Sequence, residues 1–350
     1  MDTPAQPRIL SLTTAVPPHR LLQDQVLPAA QSHFAPNNPN FSRLMSVYRN
    51  AAVETRYSCV PLSWYTSDHT FPERNQLYID NATDLLVDAA RRAIEEAGLN
   101  IADIGGIVTV SSTGVATPSL DALVMERMQL PRDIIRLPIF GLGCAGGVVG
   151  LSRAAALARA EPSRPILFLV VELCGLTFRH NDFSKSNIVA TALFGDGAAG
   201  AVIGCNGDGP AIEHWGEYTW PNTLGMMGWD VQKDGLAVVF SRDIPSFVRR
   251  EMKQALTGFL ASNAIPKESI DTFVSHPGGA KVIDALEDIF EIAPGALTES
   301  RDILRDFGNM SAATVLFVLR RAMDTHKKPG RMLLTTLGPG FTAGFLTLRA

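Results

Sequence analysis

The stretch that decides the fold is Leu137-Pro138-Ile139-Phe140-Gly141-Leu142-Gly143-Cys144-Ala145-Gly146-Gly147-Val148-Val149-Gly150. It predicts a strand, a sharp glycine turn, and a buried helix that begins at Cys144 and runs to about Arg159. A thiol in that place faces the unpaired N–H groups and the positive end of the helix dipole, which favour an anion. We therefore expect the pKa of Cys144 to lie below its ordinary value of about 8.5. A free cysteine is also a common core residue, so this stretch alone leaves packing and catalysis open.

The composition is typical of a globular protein with a substantial core. The chain has 350 residues, of which 46% are hydrophobic and 19% charged, and its net charge is −4. Lysine and arginine are scattered along it, which argues against nucleic acid as a partner. The cysteines form neither a Cys-x-x-Cys pair nor a metal-like spacing with the histidines, so we expect no metal site and no disulfide framework. The four cysteines are Cys59, Cys144, Cys174 and Cys205.

Targeting and membrane segments are not evident in the sequence. Residues 1–20 have no basic region followed by a long apolar core, and no segment reaches the roughly 18 apolar residues of a membrane span. Cysteines without a disulfide pattern indicate a reducing compartment. We therefore expect a cytoplasmic protein without a membrane partner.

Alternating strand and helix patterns run through both parts of the chain. In the first part they predict a strand at 9–13, helices at 81–98 and 119–128, and strands at 107–112 and 166–171, in addition to the Cys144 stretch. In the second part they predict helices at 244–260 and 280–290, a helix starting at 308–311, and strands at 272–276 and 332–336.

The two parts share one register. The intervals from Cys144 to Asn309 and from Ser111 to His276 are both 165 residues, as an internal duplication would require. We expect an α/β fold of two halves, 1–205 and 206–350, related by a pseudo-twofold axis. The alternation of strands and helices further predicts parallel-rich sheets with helices on both faces.

Cys144, His276 and Asn309 are all predicted at strand ends or helix starts, where open α/β sheets gather functional residues. Singly, such a histidine is more often a structural residue, and such an asparagine a helix cap. Jointly, they supply a nucleophile, an imidazole able to pair with its thiolate, and an amide donor for a thioester carbonyl. This set permits acyl transfer, loss of CO₂ from a malonyl thioester and carbon–carbon bond formation without a metal or organic cofactor.

Five short motifs occur in order along the whole chain. They are Gly143-Cys144-Ala145-Gly146-Gly147, Ala192-Leu193-Phe194-Gly195-Asp196-Gly197, His276-Pro277-Gly278-Gly279, Gly308-Asn309-Met310-Ser311 and Gly338-Pro339-Gly340-Phe341. The ordered set resembles the type III polyketide synthases, the chalcone synthase-like members of the thiolase superfamily. This resemblance implies a thiolase-like, duplicated αβαβα layered fold, a homodimer, and acyl-CoA and malonyl-CoA as substrates.

By that resemblance, Cys144 carries the starter and the growing chain, while His276 and Asn309 bind thioester carbonyls and stabilise the enolate. Phe194 resembles the gatekeeper between the CoA tunnel and the reaction cavity. Basic residues near the tunnel bind CoA in this family, and Arg49 and Arg56 are the candidates here. The remaining candidate substrate-binding positions are Ser112, Thr117, Cys174, Thr177, Trp229, Val238, Ser311, Gly338, Pro339 and Gly340.

Three of these positions depart from the family pattern. Val238 stands where a second gatekeeper phenylalanine is usual, which predicts a wider mouth. Trp229 is bulky where plant enzymes have a small residue, so it could close one lobe of the cavity and open another. Thr117 stands where plant members send a methionine into the partner's cavity. Our hypothesis is an aliphatic acyl starter instead of a bulky coumaroyl group.

The resemblance implies an enzyme that loads an acyl-CoA on Cys144 and decarboxylates malonyl-CoA. It then extends the chain repeatedly and cyclises it to an alkylpyrone, alkylresorcinol or phloroglucinol-type product.

One alternative is a ketoacyl synthase III, which condenses only once. In that family, however, the catalytic histidine is typically followed by Gln-Ala-Asn. A papain-like protease also has the order Cys, His, Asn, with a fitting interval of 132 residues from Cys144 to His276, but its local signature is missing. A catalytically silent acyl-binding protein would be favoured by the loss of a catalytic position, and all three are present.

Overall fold

Residues 5–325 and 330–350 are described by a computed structural model of the chain. The strands are β1 (Arg8–Ala15), β2 (His19–Leu22), β3 (Thr55–Ser58), β4 (Gly106–Val110), β5 (Ile135–Ile139), β6 (Ile166–Leu173), β7 (Asp196–Gly204), β8 (Ala211–Thr219), β9 (Met227–Gln232), β10 (Gly235–Phe240), β11 (Thr272–Ser275), β12 (Arg331–Gly338) and β13 (Thr342–Arg349). The α-helices are α1 (Gln23–Phe34), α2 (Phe41–Leu44), α3 (Ser46–Asn50), α4 (Phe71–Glu96), α5 (Leu120–Met128), α6 (Gly146–Ala160), α7 (Lys185–Leu193), α8 (Ile244–Phe247), α9 (Lys253–Ser262), α10 (Ala280–Phe290), α11 (Thr298–Phe307) and α12 (Thr314–Thr325).

A nine-stranded sheet in the order β11-β12-β13-β8-β1-β7-β6-β4-β5 organises the molecule. Only β4 with β5, β4 with β6, and β11 with β12 pair in parallel, and the other pairs are antiparallel. The expected parallel-rich sheets are therefore wrong. One physical reason is the three-residue link from Gly338 to Thr342, because a connection this short can only reverse the chain into an antiparallel neighbour.

The two halves of the sheet repeat one strand order. The first half is ordered β1-β7-β6-β4-β5, and the second, β8-β13-β12-β11, places its strands in the corresponding sequence. The halves meet where Arg8 of β1 pairs with Ala211 of β8. Ser111 directly follows β4 and His276 directly follows its counterpart β11, as the shared register predicts. The division into 1–205 and 206–350 stays a prediction.

Helices α6 and α12 form the central layer between the two halves of the sheet. Helix α6 contacts β4 and β6 on one side and β8, β12 and β13 on the other, whereas α4 covers the outer face of the first half. Gly147 permits this approach, because a Cβ there would lie 2.4 Å from the carbonyl oxygen of Ala312. With α9 and α10 packed in the outer core of the second half, the result is the expected αβαβα thiolase-type layering.

Several helix boundaries differ from the sequence expectation. Helix α4 begins ten residues earlier than predicted, at a capping box formed by Thr70 and Glu73. The helices near Cys144 and Asn309 begin at Gly146 and Thr314, each after a 3₁₀ turn. The predicted helix at 244–260 is divided by a π-helical segment at Val248–Met252. In the part of the chain that the structure describes, no helix is long and apolar enough to cross a membrane.

Candidate active site

Cys144, His276 and Asn309 line one cavity of about 420 Å³. Cys144 lies in the 3₁₀ turn between β5 and α6, and Asn309 lies between α11 and the turn that leads into α12. His276 follows β11, and its backbone N–H donates to the carbonyl of Thr335 at 2.9 Å. The structure therefore brings the three sequence-predicted residues together at the ends of strands and the starts of helices.

The Cys144 thiol is not the activated thiolate that its position suggested. It donates a weak hydrogen bond to Ser311 Oγ, 3.6 Å away, and burial raises its pKa to about 12. A helix terminus stabilises a nearby charge by about 0.3–1 kcal/mol, which is less than one pKa unit, so desolvation outweighs it. The expectation of a lowered pKa is therefore wrong for this resting structure.

His276 is a buried, neutral imidazole. Burial lowers its pKa to about 3, and neither ring nitrogen has a hydrogen-bond partner among the described residues. The expected ion pair between His276 and Cys144 is therefore absent from the part of the chain that the structure describes. A neutral imidazole still has one N–H to donate and one nitrogen to accept a proton, and both remain free for a substrate.

The amide of Asn309 is held by its own loop. Its Oδ1 accepts from the N–H of Ser311 at 2.8 Å, and its Nδ2 donates to the carbonyl of Gly278 at 3.4 Å. The first bond orients the NH₂ group, because the oxygen is already engaged. Asn309 thus forms an Asx-type turn with Ser311 just before the 3₁₀ turn, and it also lines the Cys144 cavity.

A buried hydrogen-bond chain continues from Cys144 to Glu172. Ser311 Oγ donates to Glu172 Oε1 at 3.4 Å, while Glu172 Oε2 accepts from Ser112 N and Thr113 Oγ1, each at 2.9 Å. Burial raises the pKa of Glu172 to about 7. The sequence analysis missed this acid, although a glutamate inside the apolar run of β6 was a usable signal.

Four predicted pocket residues, Cys174, Phe194, Trp229 and Val238, meet in one cluster with Ala190 and Phe240. We call these six residues the gate. The Phe194 ring lies 5.5 Å from that of Phe240 and 6.5 Å from that of Trp229, both edge-on. Phe240 also lines the Cys144 cavity. Phe240 thus places a second aromatic ring beside Phe194, and the wider mouth expected at Val238 stays a prediction.

Trp229 is held in place next to Phe194, and the prediction that its bulk closes one lobe of the cavity stays a prediction. Its indole N–H donates to the carbonyl of Ser112 at 2.7 Å, which fixes the ring beside Phe194. Phe194 lines a second cavity of about 500 Å³, which Cys174, Thr177 and Val238 also line.

The glycine-proline loop packs directly on the Cys144 turn. A Cβ at Gly338 would lie 2.4 Å from the carbonyl oxygen of Leu142, and one at Gly143 would lie 2.7 Å from Pro339. Gly340 follows with φ of +76°, a conformation that glycine adopts without strain. Thr117, in contrast, is exposed and does not line the Cys144 cavity of its own chain.

Arg56 is a structural residue, which corrects its assignment to CoA. Its side chain is buried, and its guanidinium donates to the carbonyls of Thr191, Ala192 and Phe194 at 2.7, 2.8 and 3.0 Å, and also to Gln23. Those donors are used within the protein. Arg49 is exposed on α3, whose neighbouring residues line the Cys144 cavity, so its prediction stands untested.

Two cations that the sequence did not single out lie at the mouth of the Cys144 cavity. Arg242 and Lys281 both line it and are exposed, and neither has a salt bridge among the described residues. Nothing in their sequence context separates them from ordinary surface charges. In the described ranges no group of three or more His, Cys, Asp or Glu side chains is placed to hold a metal ion.

The layered fold, with Cys, His and Asn on one cavity, defines a condensing enzyme of the thiolase type. Family comparison makes this specific: the chain belongs to the chalcone and stilbene synthases, the type III polyketide synthases, whose N-terminal domain model matches residues 5–207 and whose C-terminal domain model matches residues 216–350.

Individual relatives agree with the family match. The chain is 37% identical to a 1,3,6,8-tetrahydroxynaphthalene synthase of Streptomyces peucetius subsp. caesius, over 97% of this chain and 92% of that protein. It is 29% identical to a phloroglucinol synthase of Pseudomonas fluorescens, over 93% and 94% of the two chains. The crystal structure of the 1,3,6,8-tetrahydroxynaphthalene synthase from Streptomyces coelicolor superposes with a TM-score of 0.93 at 29% identity, covering 98% of this chain and 99% of that one. These relatives favour a type III polyketide synthase over the ketoacyl synthase, protease and silent-binding alternatives.

Proposed function

We propose that this type III polyketide synthase loads an acyl group from acyl-CoA on Cys144, extends it repeatedly with malonyl-CoA and cyclises the product to a pyrone, resorcinol or phloroglucinol type. The observation that carries the proposal is the convergence of Cys144, His276 and Asn309 on one cavity. Arg242 and Lys281 at its mouth, with Arg49 nearby, are suited to the phosphates of CoA.

Loading begins with attack of the Cys144 sulfur on the thioester carbonyl. His276 accepts the thiol proton, which its neutral form is ready to do. The carbonyl oxygen gains negative charge and accepts hydrogen bonds from the Asn309 amide and the imidazole N–H. Collapse of the tetrahedral intermediate releases CoA, which takes the proton from His276. A site that excludes water favours this order of steps, because the thiolate and the imidazolium then form together as an ion pair.

Extension uses the same donors. Malonyl-CoA loses its carboxylate as CO₂, and the electron pair of the broken bond forms the enolate of acetyl-CoA. The enolate oxygen accepts from Asn309 and His276, and its carbon attacks the Cys144 thioester. The carbon–sulfur bond breaks, and the chain leaves on CoA two carbons longer, ready to reload. We propose that no metal or organic cofactor takes part, since these side chains supply each proton and donor.

We propose a homodimer formed along β5. This strand is an edge of the nine-stranded sheet, and Ile135 within it is exposed. Phe140, just beyond the strand, is 61% exposed, and Val115 lies exposed close to Thr117 in sequence. An unpaired edge with exposed apolar residues is suited to pairing with a second copy, and the Thr117 loop would then face the partner.

We also propose a cytoplasmic location. All four cysteines are free thiols, and two of them, Cys59 and Cys174, are buried. A protein that keeps its thiols unpaired is typical of a reducing compartment.

Product analysis after incubation with malonyl-CoA and a panel of acyl-CoAs tests this function. We expect cyclised triketides or tetraketides from the wild type, and none from Cys144→Ala. Cys205→Ala is the matched control, because Cys205 lies at the end of β7, away from the cavity, and should leave the products unchanged. A single β-ketoacyl product would contradict repeated extension, and products from Cys144→Ala would contradict the role of the thiol.

A further inference from the structure

Three buried polar side-chain atoms at the Cys144 cavity have no hydrogen-bond partner among the residues that the structure describes. They are both ring nitrogens of His276 and the hydroxyl oxygen of Thr336. His276 is 5% exposed and Thr336 is 2% exposed. A buried polar group without a partner costs about 1–3 kcal/mol, so each of them requires a physical explanation. The proposed function explains His276 and gives Thr336 no role.

Thr336 and His276 lie side by side on neighbouring strands. Strands β11 and β12 are parallel with Ser275 opposite Thr335, and the His276 N–H continues the ladder by donating to the Thr335 carbonyl at 2.9 Å. The hydroxyls of Ser275 and Thr335 bond each other at 2.9 Å, so these two side chains lie on one face of the sheet. Because successive side chains alternate between faces, the next pair, His276 and Thr336, shares the opposite face.

The Thr336 hydroxyl has apolar neighbours on the side of β13. Thr336 pairs with Gly344, where a Cβ would lie 3.0 Å from Thr336 Oγ1. The same Cβ would lie 3.0 Å from a methyl group of Val149 and 3.5 Å from Cβ of Val148, so α6 covers this side with apolar groups. A different staggered χ1 rotamer moves the oxygen away from β13, and β11, which leads into His276, lies on the other side of β12.

The two ring nitrogens of His276 have different surroundings. A Cβ at Gly278 would lie 3.8 Å from both Nε2 and Cδ2, so this edge of the ring borders the loop whose carbonyl accepts from Asn309 Nδ2. Nε2 therefore lies on the side of the other catalytic donor, and Nδ1 lies on the opposite edge of the ring. To accept the Cys144 proton at Nε2, the neutral imidazole must carry its hydrogen on Nδ1, and this N–H requires an acceptor.

We propose that Thr336 is a positioning residue for His276: its hydroxyl oxygen accepts a hydrogen bond from His276 Nδ1–H as the enzyme loads Cys144. The bond selects the tautomer whose Nε2 lone pair is free for the thiol proton. It also gives the imidazolium a partner for its second N–H while Nε2–H bonds the thioester oxygen. The hydrogen stays on Nδ1 throughout, so Thr336 takes part in no covalent step. This inference rests on the proposed function and adds a residue to it.

Replacement of the Thr336 hydroxyl by a methyl group tests the proposal. Removal of a buried hydroxyl that has no partner should leave the free energy of unfolding of Thr336→Val unchanged or higher. We expect single-turnover loading of Cys144 by hexanoyl-CoA to slow about tenfold or more in this variant, because the wrong tautomer is then populated. The half-saturating concentration of hexanoyl-CoA should stay the same. Thr336→Ser keeps a hydroxyl and should load within about threefold of the wild-type rate.

Thr347→Val is the matched control. Thr347 is 0% exposed, and its hydroxyl likewise has no partner within the described ranges, but it does not line the Cys144 cavity. Thr347→Val should therefore match Thr336→Val in stability and the wild type in loading rate.

Nitrogen-15 NMR reports the tautomer directly and needs no folded Thr336→Val. In histidine-labelled wild type without substrate, the His276 signals are identified by their absence from His276→Gln. We expect the hydrogen on Nδ1 at neutral pH, and a hydrogen on Nε2 would overturn the proposal.

The outcomes separate this inference from the proposed function. Slow loading by Thr336→Val, with Thr336→Ser and Thr347→Val close to the wild type, supports the positioning role. Wild-type loading by Thr336→Val overturns it. So does loading by Thr336→Ser or Thr347→Val that is as slow as that of Thr336→Val, since the hydroxyl beside His276 would then not be the cause. Failure of the wild type to form any Cys144 adduct would instead overturn the proposed function.

Discussion

Phe194 and Asn309 form an isolated parallel β-bridge. The Asn309 N–H donates to the Leu193 carbonyl at 2.8 Å, and the Gly195 N–H donates to the Asn309 carbonyl at 3.0 Å. The bridge is tight, because a Cβ at Gly308 would lie 2.8 Å from the same Leu193 oxygen. The gate residue and the proposed enolate donor are therefore fixed to one another through their backbones.

Arg56 should act as a positioning residue for this bridge. It satisfies the carbonyls of Thr191, Ala192 and Phe194, which the end of α7 leaves without helical partners. The planar guanidinium of arginine holds several hydrogen-bond donors in a fixed geometry that lysine cannot reproduce. Arg56→Lys should therefore displace Phe194 and Asn309 together. We expect malonyl-CoA decarboxylation to fall about tenfold to a hundredfold, while alkylation of Cys144 by iodoacetamide changes little.

Arg74→Lys is the control for Arg56→Lys. Arg74 is equally buried, at 4% exposure for both residues, and donates to the carbonyls of Leu176, Phe178 and Asp234, away from the bridge. Both variants should lose similar free energy of unfolding, but Arg74→Lys should keep its decarboxylation rate. Equal loss of decarboxylation in the two variants would mean that Arg56 contributes only general stability.

Ser311→Ala should make Cys144 less reactive. The hydrogen bond with Ser311 opposes the rise that burial causes in the pKa of Cys144, because the hydroxyl can turn to donate to the thiolate. Its removal should shift the pH profile of iodoacetamide alkylation to higher pH and slow the reaction at a fixed neutral pH. Ser152→Ala, a buried serine on α6 bonded to Val149, is the control. A profile identical to that of the wild type would show that Ser311 does not influence the thiol.

Glu172 should impose a pH dependence on stability. Burial raises its pKa from 4.5 to about 7, so the stability it contributes as a neutral acid is present below pH 4.5 and is lost as the pH rises through 7. Between about pH 5 and about pH 8, the free energy of unfolding should therefore fall more in the wild type than in Glu172→Gln, by up to about 3 kcal/mol. Urea denaturation across this range measures the difference, with the exposed Glu126→Gln as control. Parallel curves for wild type and Glu172→Gln would refute the raised pKa.

Trp229 should exclude bulky starters from the space beside Ser112. Its indole is anchored to the Ser112 carbonyl and meets Phe194 edge-on. Trp229→Ala should open this lobe and raise the ratio of kcat/KM for p-coumaroyl-CoA to that for hexanoyl-CoA about tenfold. Trp64→Ala is the control, since Trp64 stacks on His69 outside the gate. An unchanged ratio in Trp229→Ala would mean that the tryptophan does not select the starter.

Local periodicity explains how far the fold could be predicted. Strands such as Ile166–Leu173 and helices such as Ala280–Phe290 have strong hydrophobic patterns. The interval from Ser111 to His276 equals that from Cys144 to Asn309, which indicated the duplication. Strand direction was not predictable in this way, because it depends on how connections such as Gly338 to Thr342 close in space. The early start of α4 was missed because its capping box lies in a polar segment with little apolar periodicity.

The candidate site, like the fold, could be predicted from the sequence only in part. Motifs placed Cys144, His276 and Asn309 correctly at one cavity, since each follows from its position in the repeated unit. Their protonation states did not follow, because the helix dipole is visible in sequence whereas desolvation depends on the packed surroundings. Arg56 shows this most clearly: its charge suggested an anion site, and only the folded chain reveals carbonyls around it.

The central claim is that Cys144 carries the chain that malonyl-CoA extends, and intact-protein mass spectrometry tests it most directly. After incubation with hexanoyl-CoA, the wild type should gain one hexanoyl mass located on Cys144, and Cys144→Ala should gain none. Addition of malonyl-CoA should then discharge the adduct as a cyclised product. A hexanoyl adduct on Cys144→Ala, or a wild-type adduct that malonyl-CoA leaves in place, would contradict the account.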